Sequence, residues 1–204
     1  MARGYDAVVF DLYGTLVNIS ERTDPLFRLF NEIWQAGPSS SVRKTALTQE
    51  FPDVGSLVNE IAPYADIDIE YYQHMVDKEI DSVVLFPDVV SVLSGLREQG
   101  YRTALISNLV TPYKEPCERF GLPGLMDVTF FSCERGMRKP TPEVYRTTAR
   151  ELGTTPSRAL MVGDSFSSDI LGPRAVGMKG VLIDRYQNNG KAELATLEDI
   201  FTYL

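Results

Sequence analysis

Short apolar runs separated by stretches of helical periodicity constrain this chain more than any other feature. Tyr5-Asp-Ala-Val-Val-Phe10 is compact and β-branched, and Asp11 and a loop with Gly14 follow at once. It reads as a short buried strand. Thr103–Ile106, Val128–Phe131, Ala159–Val162 and Val181–Ile183 read the same way. Amphipathic stretches lie between most of them. Asp88–Gln99 puts Val89, Val92, Leu93 and Leu96 on one face and meets Gly100 as its stop; Tyr113–Phe120, Pro142–Leu152 and Ser167–Val176 are the others. Strands alternating with helices imply a parallel sheet covered on both faces. The expected fold is α/β, a doubly wound, five-stranded parallel sheet of Rossmann-like type.

The stretch between the first strand and Phe86 breaks this rhythm and offers no convincing strand. Thr23-Asp24-Pro25 starts a helix, with a capping side chain before a proline. Leu26, Phe27, Leu29, Phe30, Ile33 and Trp34 then recur at helical spacing until Gly37, a good stop. Val42, Ala46 and Leu47 suggest a second helix, Val54, Leu57, Val58 and Ile61 a third, and Ile69, Tyr72, Val76, Ile80 and Val83 a fourth. Residues 17–86 hold 5 basic and 12 acidic side chains, and so carry nearly all of the net charge of −8. Such an asymmetry marks a boundary. The division expected is an α/β core of residues 1–16 and 87–204 with an all-helical insert at 17–86. The acidic run Asp66–Asp81 reads as a solvated outer face and the aromatic stripe Phe27–Trp34 as core packing. His74, the only histidine, has no partner in view.

Composition excludes other classes. The chain is 44% apolar and 24% charged, ordinary globular usage rather than disorder. Its acidic balance argues against a nucleic-acid or anionic-membrane binder. No apolar stretch approaches the ~20 residues of a membrane span, and Ala7–Phe10 before Asp11 is no signal-peptide core. Cys117 and Cys133 form neither a CxxC motif nor a disulfide scaffold, so a reducing, cytoplasmic setting is expected and both thiols read as inert.

Ligands of an open parallel sheet bind beyond the carboxyl ends of its strands. Asp11 follows the first strand, Ser107-Asn108 the second and Gly163-Asp164 the fourth, while Lys139 lies in the loop after the third. These ends gather three carboxylates (Asp11, Asp164, Asp169), one ammonium, and the hydroxyls of Thr15 and Ser107. Three carboxylates in one crevice must raise a pKa or capture a cation, and Mg²⁺ is the simplest neutraliser beside substrate phosphate. Lys139 adds a point charge for an anionic group. The combination suggests phosphoryl transfer to Asp11 as a carboxylate nucleophile, with a small anionic molecule as substrate.

These motifs resemble those of the haloacid dehalogenase superfamily across nearly the whole chain. Asp11-Leu-Tyr-Gly-Thr-Leu16 is similar to the first motif, Ser107-Asn108 to the second, Arg138-Lys139-Pro140-x-Pro142-x-x-Tyr145 to the third and Gly163-Asp164-Ser-Phe-Ser-Ser-Asp169 to the fourth. The helical insert resembles the family's type-1 cap. The resemblance implies that Asp11 is the nucleophile, that Ser107 and Lys139 hold the transferred group, and that Asp164 and the backbone carbonyl of Tyr13 help bind Mg²⁺. Thr15 and Asn108 are expected beside them at the substrate, and Asp169 as a further member of the metal site that orients neighbours or acts through water.

One position departs from the pattern. Phosphatases of this family usually carry a second aspartate, an acid and base, two residues after the nucleophile; here Tyr13 stands there. A phenol with an unperturbed pKa near ~10 is a poor base at neutral pH. Tyrosine at this position resembles the metal-independent 2-haloacid dehalogenases, whose halide leaving group needs no proton. Those enzymes carry an uncharged Ser-x-Asn pattern where this chain has Asp164 and Phe166, and a cap arginine that Phe30-Asn-Glu-Ile-Trp-Gln35 lacks. The expectation is an Mg²⁺-dependent phosphatase, with a dehalogenase as the alternative and a weakly active binding or regulatory protein as the third.

Overall fold

Alternation within the first strand dictates two cores. All four residues of β1 (Ala7–Phe10) are buried, but successive side chains point to opposite faces. Val8 and Phe10 pack with Leu105, Val162 and Val181, whereas Ala7 and Val9 pack with Ala104, Ile106 and Met161. A strand apolar on both faces must be covered on both. The computed structural model, which describes residues 4–34, 39–186, 190 and 192–204, shows how. β4 (Arg102–Ser107), β5 (Val128–Phe131), β6 (Ala159–Gly163) and β7 (Lys179–Leu182) join β1 in one parallel sheet of order β5-β4-β1-β6-β7. All five expected strands are present, the last beginning at Lys179.

The covering helices follow their apolar periods. α5 (Val89–Glu98) presents Val89, Val92, Leu93 and Leu96 to one face. α8 (Pro142–Glu151) presents Val144, Tyr145 and Ala149 to the other. The expected helix at Tyr113–Phe120 is a 3₁₀ turn, Thr111–Lys114, running into α6 (Glu115–Arg119). The one at Ser167–Val176 is a π-helical turn, Phe166–Leu171, followed by a single α-helical turn. A short α7 (Ser132–Arg135) follows β5.

The segment after β1 departs from expectation in one respect. Its four helices are present as α1 (Pro25–Ile33), α2 (Ser40–Thr48), α3 (Val54–Ile61) and α4 (Ile69–Asp81), although Gly37, the expected stop of α1, lies outside the described residues. The segment also contains two strands, β2 (Val17–Ile19) and β3 (Val83–Leu85), paired antiparallel outside the main sheet. Val83, read as the last apolar position of α4, is a strand residue. Each strand is three residues long and its partner is more than sixty positions away, so neither carries a readable period. Together they form a stem: Val17 and Val83 pack into the core beneath α5, while Leu29, Val54, Val58, Tyr72, Val76 and Ile80 form a cluster of their own among the helices.

Three local expectations also change. Asp24 occupies the cap position of α1 with φ 51° but makes no side-chain cap; its carboxylate accepts from Arg22 instead. Phe27 is 63% exposed, so the aromatic stripe is not wholly core. Glu79, inside the acidic run, is buried. No helix among the described residues is long and apolar enough to cross a membrane.

Candidate active site

The strand order reverses at β1, which lies between β4 and β6, so a crevice opens at the carboxyl ends of these strands. Register brings their ends level. Phe10 pairs with Leu105 on one side and Val162 on the other, and the Asp11 amide continues the ladder to the Val162 carbonyl at 2.9 Å. Asp11 thus leaves β1 beside the end of β6, where Asp164 follows Gly163. Lys139 arrives from the loop after α7. Its Nζ donates to Asp11 Oδ1 at 2.6 Å and to Asp169 Oδ1 at 2.7 Å. The Lys139, Asp11 and Asp169 side chains are 3%, 12% and 0% exposed. Asp11, Asp164 and Asp169 each offer an oxygen within 4.8 Å of the other two.

Two glycines permit this crowding. Gly14 has φ +78°, and a Cβ there would stand 2.2 Å from Asp164 Oδ2; at Gly163 a Cβ would stand 2.3 Å from Asp169 Oδ2. A side chain at either position would displace a carboxylate.

Three carboxylates face one ammonium. Burial by itself would lower the Lys139 ammonium, but the charges of Asp11 and Asp169 outweigh it and hold the group above its ordinary value. Burial and then the Asp11 charge push the Asp164 carboxyl up to about 6, although its side chain remains open to solvent. Burial likewise raises Asp169, against the pull of Lys139 and the Ser165 amide. Close carboxylates in excess of their counter-charge are what a hard cation with oxygen ligands neutralises, so the donor set fits Mg²⁺. The oxygens differ in freedom. Asp169 gives Oδ1 to Lys139 and Oδ2 to the Ser165 amide at 3.0 Å, whereas the solvent-facing Asp164 is not tied to the ammonium.

The other expected residues take varied places. Ser107 is buried at the end of β4. The Asn108 amide exchanges two bonds with the Lys139 backbone, Nδ2 to the carbonyl at 2.9 Å and Oδ1 from the N–H at 2.8 Å. Thr15 is fully buried, and its Oγ1 has no hydrogen-bond partner among the described residues. Tyr145 donates its hydroxyl to the Ser168 carbonyl, bracing the turn that carries Asp169. Tyr13 donates to the Tyr113 carbonyl at 2.7 Å, and burial pushes its phenol far above the ordinary value.

Four residues that the motifs do not mark support this arrangement. Arg185 donates Nε and Nη2 to the Thr15 carbonyl at 3.0 and 2.6 Å and Nη1 to Asp88 at 2.6 Å, with its guanidinium 4.2 Å over the Phe86 ring. Asp88, expected only at the start of α5, also accepts the Leu197 amide. Glu79 accepts the Thr23 and Asp24 amides at 2.5 and 2.7 Å and the Tyr113 hydroxyl at 2.7 Å. A continuous chain of bonds therefore links the loop after Asp11, through Tyr113, to α4. An acidic residue at an inward position of α4 was the one available sign.

The chain is similar to known phosphatases in sequence and to haloacid dehalogenase-like enzymes in fold. A glyceraldehyde 3-phosphate phosphatase of Methanothermobacter thermautotrophicus is 33% identical over 125 residues, 56% of this chain and 55% of the relative. A ribulose-1,5-bisphosphate 5-phosphatase of Halopiger xanaduensis is 34% identical over 117 residues, 57% of this chain and 49% of the relative. The chain spans about half the length of the curated relatives it matches. The crystal structure of a haloacid dehalogenase-like phosphatase from Thermococcus onnurineus superposes with a TM-score of 0.69 at 25% identity, covering 97% of each chain. A dehalogenase shares the fold at a TM-score of 0.68 and 20% identity over 100% of this chain and 99% of its own. Residues 5–177, which include every carboxylate of the crevice and the lysine that bridges two of them, match the family of haloacid dehalogenase-like hydrolases, and the chain belongs to it.

Proposed function

We propose that the chain is a phosphatase of small phosphorylated metabolites that works through a phosphoryl group carried on Asp11. One observation carries the reading: Lys139 holds Asp11 and Asp169 together at the sheet edge while Asp164 adds a third carboxylate within 4.8 Å. The Asp11 carboxylate attacks phosphorus, and the P–O bond to the alcohol breaks with its electron pair on the departing oxygen. Water then hydrolyses the aspartyl-phosphate, releasing inorganic phosphate and restoring the carboxylate; the proton it loses balances the one the alkoxide takes up. Lys139 and Ser107 hold the transferred group, Asn108 fixes the lysine's backbone, and the Thr15 carbonyl ties its loop to Arg185.

Asp11, Asp164 and the Tyr13 carbonyl would hold Mg²⁺, with Asp169 orienting Lys139. The bound ion supplies positive charge against the phosphoryl oxygens. Residues 17–86 act as a cap over a core of residues 1–16 and 87–204, with β2 and β3 as its stem. Two unpaired, buried cysteines suit a reducing, cytoplasmic setting.

Tyr13 favours the dehalogenase reading, but in a metal-independent site the carboxylates would repel the carboxylate of a 2-haloacid with no cation to intervene, and the relatives described above are named as phosphatases. Turnover of phosphate esters and of 2-haloacids, each with and without Mg²⁺, separates the two. Phosphate release that needs Mg²⁺ and vanishes in Asp11→Asn supports the proposal. Metal-free halide release overturns it.

A further inference from the structure

A cavity of about 300 Å³ lies against Tyr13 and Asn108 on the side of the helical segment. Its walls are largely carbon: Leu26, Phe27, Leu47 and Leu109, with the rings of Tyr13 and Tyr113 set edge to face at 6.0 Å. We infer that this cavity receives the leaving group, and that the substrate is the phosphate ester of a neutral, apolar alcohol, aromatic rather than sugar-like. The inference rests on the phosphatase reading and names its substrate class.

Three observations converge on it. First, the polar side chains deep in the lining are already engaged. Tyr13 donates to Tyr113, Tyr113 to Glu79, Glu79 accepts two backbone amides, and the Asn108 amide serves Lys139 in both directions. A polyol entering here would exchange water for side chains whose bonds are largely committed, with the second Nδ2 hydrogen of Asn108 left over among them, and hydroxyls left without partners are costly. Second, the charge disfavours an anionic tail. The one cation among the described lining residues, Arg22, pairs with Asp24 at 2.8 Å, and Glu79 adds a second carboxylate. That ion pair is more than half exposed, which leaves it as a polar rim around an apolar floor. Third, the Tyr13 hydroxyl donates its hydrogen bond to the Tyr113 carbonyl, so it is not positioned to protonate a departing oxygen. A phenolate departs without that help, whereas the alkoxide of a sugar does not. Phe27, 63% exposed at the end of this cavity, is the kind of open aromatic surface that an aromatic ring covers.

The experiment compares phenyl and 1-naphthyl phosphate with glyceraldehyde 3-phosphate and phosphoglycolate, using the whole chain with Mg²⁺. The aryl esters should lead in kcat/KM by at least about 10²-fold, the lower end of what missing proton delivery costs. A second readout needs no turnover. Calorimetry should show benzylphosphonate binding more tightly than 3-phosphonopropionate, and Phe27→Ala should weaken the first by about tenfold while leaving the second unchanged. Preference for the sugar or carboxylate esters, or equal binding of the two phosphonates, overturns this inference alone. Failure of every ester to turn over overturns the phosphatase reading and this inference with it.

Discussion

At the carboxyl edge of the sheet, side chains of like charge are forced together: Asp11 and Asp169 share Lys139, and Asp164 stands within 4.8 Å of both. In the neighbouring cavity the reverse holds, with carbon walls and polar groups bonded to one another. The sheet edge keeps an excess of negative charge, which favours an incoming cation, and that cation together with Lys139 would offset the repulsion of an anionic phosphoryl group. The cavity has settled its polar bonds internally and offers shape and apolar surface. The proposed transfer of a phosphoryl group with release of a neutral alcohol would use both kinds of environment side by side.

The contrast is broken most severely at the nucleophile. Asp11→Asn should lower turnover on the order of 10³-fold or more, because an amide of the same shape cannot attack phosphorus. Steady-state kinetics with p-nitrophenyl phosphate reads this, and an unchanged circular dichroism spectrum shows that the fold is intact.

Lys139→Met tests the charge of the sheet edge. Removing the ammonium leaves Asp11 and Asp169 buried and facing each other, and should cost about 3–5 kcal/mol in urea unfolding at pH 7. The loss should shrink on acidification, as the carboxylates take up protons. Arg185→Met asks the same of a buried pair away from the crevice. With the Thr15 carbonyl and Asp88 both abandoned, a loss of about 3 kcal/mol is expected. Because the Thr15 loop also carries Asp11, kcat should fall with KM nearly unchanged.

Asp164 contributes a pH dependence of defined sign. Its folded value of about 6 lies above the ordinary 3.8, so the proton is bound more tightly by the folded chain. The stabilisation it gives is full below the ordinary value and is lost as the pH rises through about 6. Thermal unfolding without divalent ions should show this decline, Asp164→Asn should flatten it, and added Mg²⁺ should stabilise wild type more at pH 7 than at pH 5. The smallest effect is expected at the boundary between the regions. Tyr13→Phe removes one hydrogen bond, worth about 1 kcal/mol, and should leave kcat within a few-fold. A fall of ~10²–10⁴-fold would instead identify the phenol as a proton donor.

Much of the sheet-edge site was legible because its residues sit at strand ends, and strand ends can be read from local apolar runs. Asp11, Ser107 and Asp164 follow such runs within two residues, and Lys139 follows its run by eight. Asp24 and Asp88 were legible as positions but not as contacts: both precede helices, yet one bonds Arg22 and the other Arg185. Glu79 was hidden by its acidic neighbours, since an exposed and a buried carboxylate on one helix differ only in what packs against them.

Local periodicity by itself determined the α/β alternation, the five strands, the four helices of the segment after β1 and the identity of the carboxylates, because each depends on residues close in the chain. Only the tertiary structure decided that β2 and β3 pair as a stem, that Tyr13 turns its hydroxyl to Tyr113, that Arg185 reaches back 170 positions to the Thr15 carbonyl, and that an apolar cavity adjoins the charged crevice. Those contacts join segments far apart in sequence. Their energies depend on distance and burial, which no local pattern of residue types encodes.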